Sequence, residues 1–147
     1  MKKFFKLFLT VIIILLACSC TKKASSSEDI SKVLNENGYI IKDETNLIED
    51  NNIEKLYIVT NNKYQFEYHV YKEKSVAKEK YESNKIELKE NSNKNITEKN
   101  KEDYDKLIQE HSDKYTVIVR NKKILLYSSI NSEYKKEFKK ILKKLGY

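Results

Sequence analysis

Residues 114–130 read KYTVIVRNKKILLYSSI: two runs of β-branched, aliphatic and aromatic residues separated by a polar break. Such runs favour strands. A break at Asn121-Lys122 reads as the turn of a β-hairpin, because asparagine tolerates positive φ. A second stretch, KLYIVTNNKYQFEYHVY at 55–71, has the same form with Asn61-Asn62 at its turn. Its second arm alternates: Tyr64, Phe66, Tyr68 and Val70 share one face, while Gln65, Glu67 and His69 share the other. Two hairpins of this kind imply an antiparallel sheet.

Helical periods flank and separate the hairpins. Ile30, Val33 and Leu34 form an apolar stripe in a helix from about Glu28 to Asn37, with Ser26 or Ser27 as cap. Ala77, Tyr81, Asn84 and Leu88 line one side of a middle helix. Tyr134, Phe138, Ile141, Leu142 and Leu145 line one side of a last helix that starts near Asn131 or Ser132. The chain's two glycines, Gly38 and Gly146, close the first and last helices in ISKVLNENGY and FKKILKKLGY. Each fits the C′ position of a Schellman motif, with a leucine at C3 and a tyrosine at C″. Residues 91–101 read as a loop, and 103–110 as either strand or helix. The predicted fold is α+β, in the order α-ββ-α-(β)ββ-α: an antiparallel sheet of four to five strands, with three helices packed on one face.

Composition narrows the function classes. The 147 residues carry 29 Lys+Arg against 22 Asp+Glu, and Arg120 is the one arginine. Removing three leader lysines leaves 26 cations against 22 anions, a net charge of +4. Bidentate reading of phosphate and bases favours arginine, so nucleic acid is not an expected partner. Absent proline and tryptophan, with abundant Lys, Asn, Ile and Tyr, give the lysines a compositional origin. Residues 28–147 suffice for a single domain and a single core, and a monomer is expected.

The N-terminus has the order of a secretory leader. Lys2, Lys3 and Lys6 precede an apolar run, Leu7–Leu16, followed by the small Ala17. A run of ten residues falls short of the ~20 that a spanning helix needs. Both cysteines stand at the end of this run, in Leu15-Leu16-Ala17-Cys18-Ser19-Cys20. Residues so close in sequence cannot form an unstrained disulfide. A metal pair would lack neighbouring ligands, since the two histidines, His69 and His111, lie far along the chain.

Leu15 to Cys18 resembles the lipobox of bacterial lipoproteins. The resemblance implies cleavage before Cys18, with a diacylglyceryl group on its thiol. Ala17 to Cys20 is the alternative reading, with Cys20 lipidated. It further implies a leader at 1–17, a polar tether at 18–27 and an anchor on the extracytoplasmic face of the cell membrane. Two acyl chains suffice for stable anchoring, at ~0.8 kcal/mol per buried CH₂. The body is similar to small lipoproteins of low-GC Gram-positive bacteria, which implies location and architecture but no activity.

No Gly-rich phosphate loop, HExxH, G-x-S-x-G or body cysteine is present, so neither cofactor nor metal is expected and the protein reads as non-enzymatic. Its ligand is a protein, glycan or envelope polymer that no motif specifies. Glu67 and His69 point the same way on one strand, as an acid/base pair would, or as any solvated strand face would. The first of these readings would make a small hydrolase. His111 sits in a turn-like HSDK stretch. Asp103, Asp105, Glu110 and Asp113 lack calcium-loop spacing. Asn84 falls where its helix should be buried, as a partner for a backbone group. Lys135, Lys136, Lys139, Lys140, Lys143 and Lys144 make a basic face on the last helix. That face suits anionic envelope polymers or lipid headgroups, at ~1 kcal/mol per lysine near a charged surface, or equally the soluble back of a core helix. Eleven tyrosines admit an aromatic platform for a glycan or peptide, though strand preference places most of them in a core.

Overall fold

The 114–130 hairpin forms the centre of the sheet in the computed structural model, which describes residues 24–91 and 95–147. Its arms are β6 (Lys114–Asn121) and β7 (Ile124–Asn131). Asn121 pairs with Ile124, so the turn is Lys122-Lys123, one residue beyond the expected place, and Lys122 takes φ +56°. Asn121 is occupied elsewhere: its Nδ2 donates to the Ala24 carbonyl at 2.8 Å. The second hairpin joins β2 (Ile53–Thr60) to β3 (Gln65–Tyr71), with Asn62 at φ +66° as its composition predicts.

Among the described residues the sheet has seven strands, in the order β1-β2-β3-β7-β6-β5-β4, and every neighbouring pair is antiparallel. The α+β class is as expected, but the count of four to five strands is corrected. Residues 103–110 resolve as β5 (Tyr104–Glu110), and the supposed loop at 91–101 contains β4 (Ile96–Lys101). Ile40–Asp43 adds β1. The two added strands are the sheet's edges. Edge strands are short and charged because such residues discourage pairing with other chains, and that removes the alternation by which strands are recognised.

The helices are α1 (Ser27–Glu36), α2 (Lys74–Asn91) and α3 (Lys135–Lys144). Ser26 caps α1, its Oγ accepting from the Asp29 N–H at 3.1 Å. Both Schellman closures form. Tyr39 N–H donates to the Leu34 carbonyl at 3.1 Å, and Tyr147 N–H to the Leu142 carbonyl at 2.8 Å. Gly38 and Gly146 take φ +76° and +78°, which a side chain would strain.

The expectation of three helices on one face is also corrected. Ile30 and Leu34 of α1 and Phe138, Ile141 and Leu142 of α3 pack with Phe66, Tyr68, Tyr115, Val117, Val119 and Leu126. Ala77 and Tyr81 of α2 pack instead with Tyr71, Leu107, Ile118 and Leu125, on the opposite face. Successive residues of a strand face opposite sides. The central strands are apolar at consecutive positions, so each side needs its own cover.

Residues 1–23, including the expected leader, most of the expected tether, Cys18 and Cys20, lie outside the described residues. The chain is docked at Ala24. Its N–H donates to the Leu145 carbonyl at 2.9 Å, and its carbonyl accepts from Asn121 Nδ2 and from Tyr147 Oη at 2.6 Å. Among the described residues no helix is long and apolar enough to cross a membrane.

Edge strand β4 is fastened to α2 through Glu98, which accepts from Lys85 and Lys89 Nζ, each at 3.0 Å. Burial pushes the Glu98 carboxyl up. The hydrogen bonds from Asn100, Lys89 and Lys85 outweigh this and bring it from 4.5 to about 2. A lowered folded-state value stabilises the fold fully above about pH 4.5, and that contribution disappears as pH falls towards 2. Glu98→Gln is therefore expected to flatten the acid loss of stability over this interval, read from urea midpoints at a series of pH values.

Candidate functional site

Helix α2 lies over β6, β7 and the Tyr71 end of β3 on its side of the sheet, with Leu107 of β5 packed in the same cluster, and leaves β1, most of β2 and the Gln65 end of β3 open. Ile41, Tyr57, Val59, Phe66 and Tyr68 belong to the α1/α3 side. By alternation, Ile40, Leu56, Ile58, Gln65, Glu67 and His69 face the open side.

A polar cleft of about 250 Å³ runs along the seam between this open portion and α2. β3 contributes Glu67, His69 and Tyr71, and β7 contributes Leu125 and Tyr127. Lys80 and Asn84 project from α2, with Asp50 from the segment entering β2 and Ile53 from the first position of that strand. The β3–β7 register sets His69 opposite Leu125 and Glu67 opposite Tyr127.

His69 is the unusual member. Its side chain is 21% exposed, and that exposure is carbon: both ring nitrogens are buried and neither has a hydrogen-bond partner among the described residues. Nε2 lies 3.3 Å from Glu67 Oε1, near enough for an ionic contact if the ring is protonated but misaligned for a hydrogen bond. The ring stacks on Tyr71, with centroids 6.0 Å apart. Burial pushes the Tyr71 hydroxyl up to about 12, so it remains a neutral phenol. Asp50 accepts from the Asn52 N–H at 2.9 Å, and that bond leads in holding its carboxyl below the ordinary range. Lys80 Nζ lies 3.9 Å from Asp50 Oδ2.

Further along the same face, an apolar groove of about 440 Å³ is lined by Ile40, Leu47, Leu56 and Ile58, with Lys42 and Glu44 paired at its rim. Ile40 is 59% and Leu47 71% exposed. A shallower hollow of about 200 Å³ shares Gln65 with the groove and Glu67 and Tyr127 with the cleft.

Of the residues singled out in the sequence, Glu67, His69 and Asn84 are brought together. His111 is not: it lies in the β5–β6 turn, exposed, its N–H donating to the Lys114 carbonyl. The four acidic residues disperse. Asp105 is buried against Arg120, Asp103 meets Lys74, Glu110 meets Lys135 and Lys139, and the Asp113 carbonyl accepts from Ser132 N–H. Among the described residues no group of three or more acidic, histidine or cysteine side chains is arranged to hold a metal ion.

The lysine face of α3 is divided. Lys135 and Lys139 bind Glu110 and lie 5.6 and 5.4 Å from the Tyr115 ring centroid, and Lys144 hydrogen-bonds Asn37. Lys136, Lys140 and Lys143 have no ion pair among the described residues. Asp50, Lys80, Tyr71 and Tyr127 were not foreseen as site residues. The one local signal for the groove was that KLYIVT is apolar on both strand faces.

This arrangement defines an α+β domain with a sheet covered on one side and half-open on the other. No protein-family model, no curated protein and no solved structure matches the chain.

Proposed function

We propose that the protein is a lipoprotein on the extracytoplasmic face of the cell membrane, anchored by a diacylglyceryl group on Cys18 or, alternatively, Cys20. In this reading it is a non-enzymatic module whose ligand occupies the half-open sheet face. The observation that carries the ligand site is His69, whose two buried ring nitrogens lack partners inside a polar cleft. Buried polar groups are normally satisfied, and an unsatisfied one costs about 1–3 kcal/mol. A ligand that offers a donor and an acceptor, with the ring turned to bring its nitrogens into the cleft, removes that cost.

Binding is favoured over hydrolysis by two features. Among the described residues the cleft brings no serine, threonine or cysteine to His69, and Glu67 does not hold the imidazole in one orientation. The cleft is also favoured over the α3 lysines, since Lys135, Lys139 and Lys144 are already engaged within the molecule.

Two measurements test the proposal. Mass spectrometry of the membrane-extracted protein is expected to show a diacylglyceryl adduct on the first residue. Cells carrying both Cys18→Ala and Cys20→Ala are expected to lose membrane retention. Undiminished retention without an adduct removes the anchor. Turnover of ester, glycoside or peptide substrates that His69→Gln abolishes would replace the binding module with an enzyme.

A further inference from the structure

We infer that the half-open face takes a short extended peptide with a free amino terminus, its ammonium at Glu67 in the His69 cleft and an apolar side chain in the Ile58 groove. This rests on the reading of that face as the ligand site, and adds the chemical class of the ligand.

Continuity comes first. The hollow shares Glu67 and Tyr127 with the cleft and Gln65 with the groove, so it joins the two into a single path across β7, β3 and β2. Neighbouring strands lie ~4.8 Å apart, which makes the crossing roughly 10–15 Å, the length of about four extended residues at ~3.3 Å each.

Charge selects the end of the peptide. Lys80 and Asp50 offset each other at 3.9 Å. Among the described residues Glu67 contacts no lysine and, beside a neutral His69, remains as the cleft's uncompensated charge. An ammonium is attracted there, whereas a terminal carboxylate is repelled. Once the His69 ring turns its buried nitrogens into the cleft, a neutral imidazole presents one donor and one acceptor, the pair needed by an ammonium and the first peptide carbonyl. The Asn84 amide, on the facing helix, has no hydrogen-bond partner among the described residues and offers the same pair to the peptide backbone.

The groove selects a peptide over a sugar. Ile40 and Leu47 are more than half exposed beside Leu56 and Ile58. An aliphatic side chain covers them, and a monosaccharide has no apolar branch to do so.

The test titrates the full chain in detergent with Ala-Gly-Gly-Leu-amide, following the His69 imidazole resonances with those of His111 as an internal control. The free-amine peptide is expected to shift His69 alone. N-acetylation is expected to weaken binding at least tenfold, and replacing the leucine by alanine several-fold. Glu67→Gln should erase the preference for the free amine, and Ile58→Ser the preference for leucine. Equal binding of free and acetylated peptides overturns the inference. So does a His69 shift with N-acetylglucosamine but with neither peptide, which leaves the ligand site standing. Silence with both peptides and the sugar overturns the ligand site itself.

Discussion

Arg120→Met is expected to destabilise the fold by about 3–5 kcal/mol, a large part of the ~5–15 kcal/mol typical of a domain. Arg120 and Asp105 side chains are 2% and 5% exposed, and Nε donates to Asp105 Oδ2 at 2.5 Å. Nη2 also donates to the Glu102 carbonyl at 2.9 Å, so one guanidinium fastens β6 to both β5 and the turn before it. Removing the cation leaves a carboxylate inside the protein with neither water nor partner. The loss is in that uncompensated charge, not in the net worth of the pair. Arg120→Met combined with Asp105→Leu is therefore expected to recover most of the stability. Urea unfolding of the single and double variants checks this. A double variant as unstable as the single one would show that the pair itself supplies the stabilisation.

Phe138→Ala is expected to cost about 3–5 kcal/mol, by lost burial together with the cavity left behind. The ring is fully buried and is the point at which α3 meets the sheet. Its centroid lies 5.3 Å from Phe66, 5.6 Å from Tyr64 and 6.5 Å from Tyr115, all in edge-to-face geometry. Those three rings come from β3, from β6 and from the loop before β3, so no single neighbour can collapse into the space. Phe138→Leu keeps most of the volume and is expected to cost clearly less. Guanidinium unfolding of the two variants measures the difference. Equal losses would point to the aromatic contacts instead of the cavity, since such pairs contribute about 0.5–1.5 kcal/mol each beyond burial.

Much of the fold was legible because its signals are local. NGY and LGY predicted both helix ends down to the bonding leucine and tyrosine, since a Schellman motif involves only residues within one turn. Alternation over 64–70 placed Phe66 and Tyr68 in the core and Glu67 and His69 outside it. Strands β1 and β4 were missed because IIKD and ITEKNK carry the charges that edges need. The side chosen by α2 was missed although a trace of it is present: Val117-Ile118-Val119 and Ile124-Leu125-Leu126 are apolar without a break, the mark of strands buried on both faces.

The candidate site was legible only in pieces. Glu67 and His69 follow from strand period, and Asn84 from helix period, each with an ordinary structural explanation. Nothing near Asp50 or Lys80 in the sequence points to His69.

By itself, then, the sequence determined the cap of the first helix, the glycine closures of the first and last helices, the two hairpins, the α+β class and the expectation of a lipid anchor, because each depends on residues within a few positions of one another. Only the tertiary structure decided the strand order, the split of helices between two faces and the meeting of Glu67, His69, Lys80 and Asn84. Those depend on the pairing of β3 with β7 and the docking of α2 across it, contacts between segments far apart in the chain, whose energies no short window of residues records.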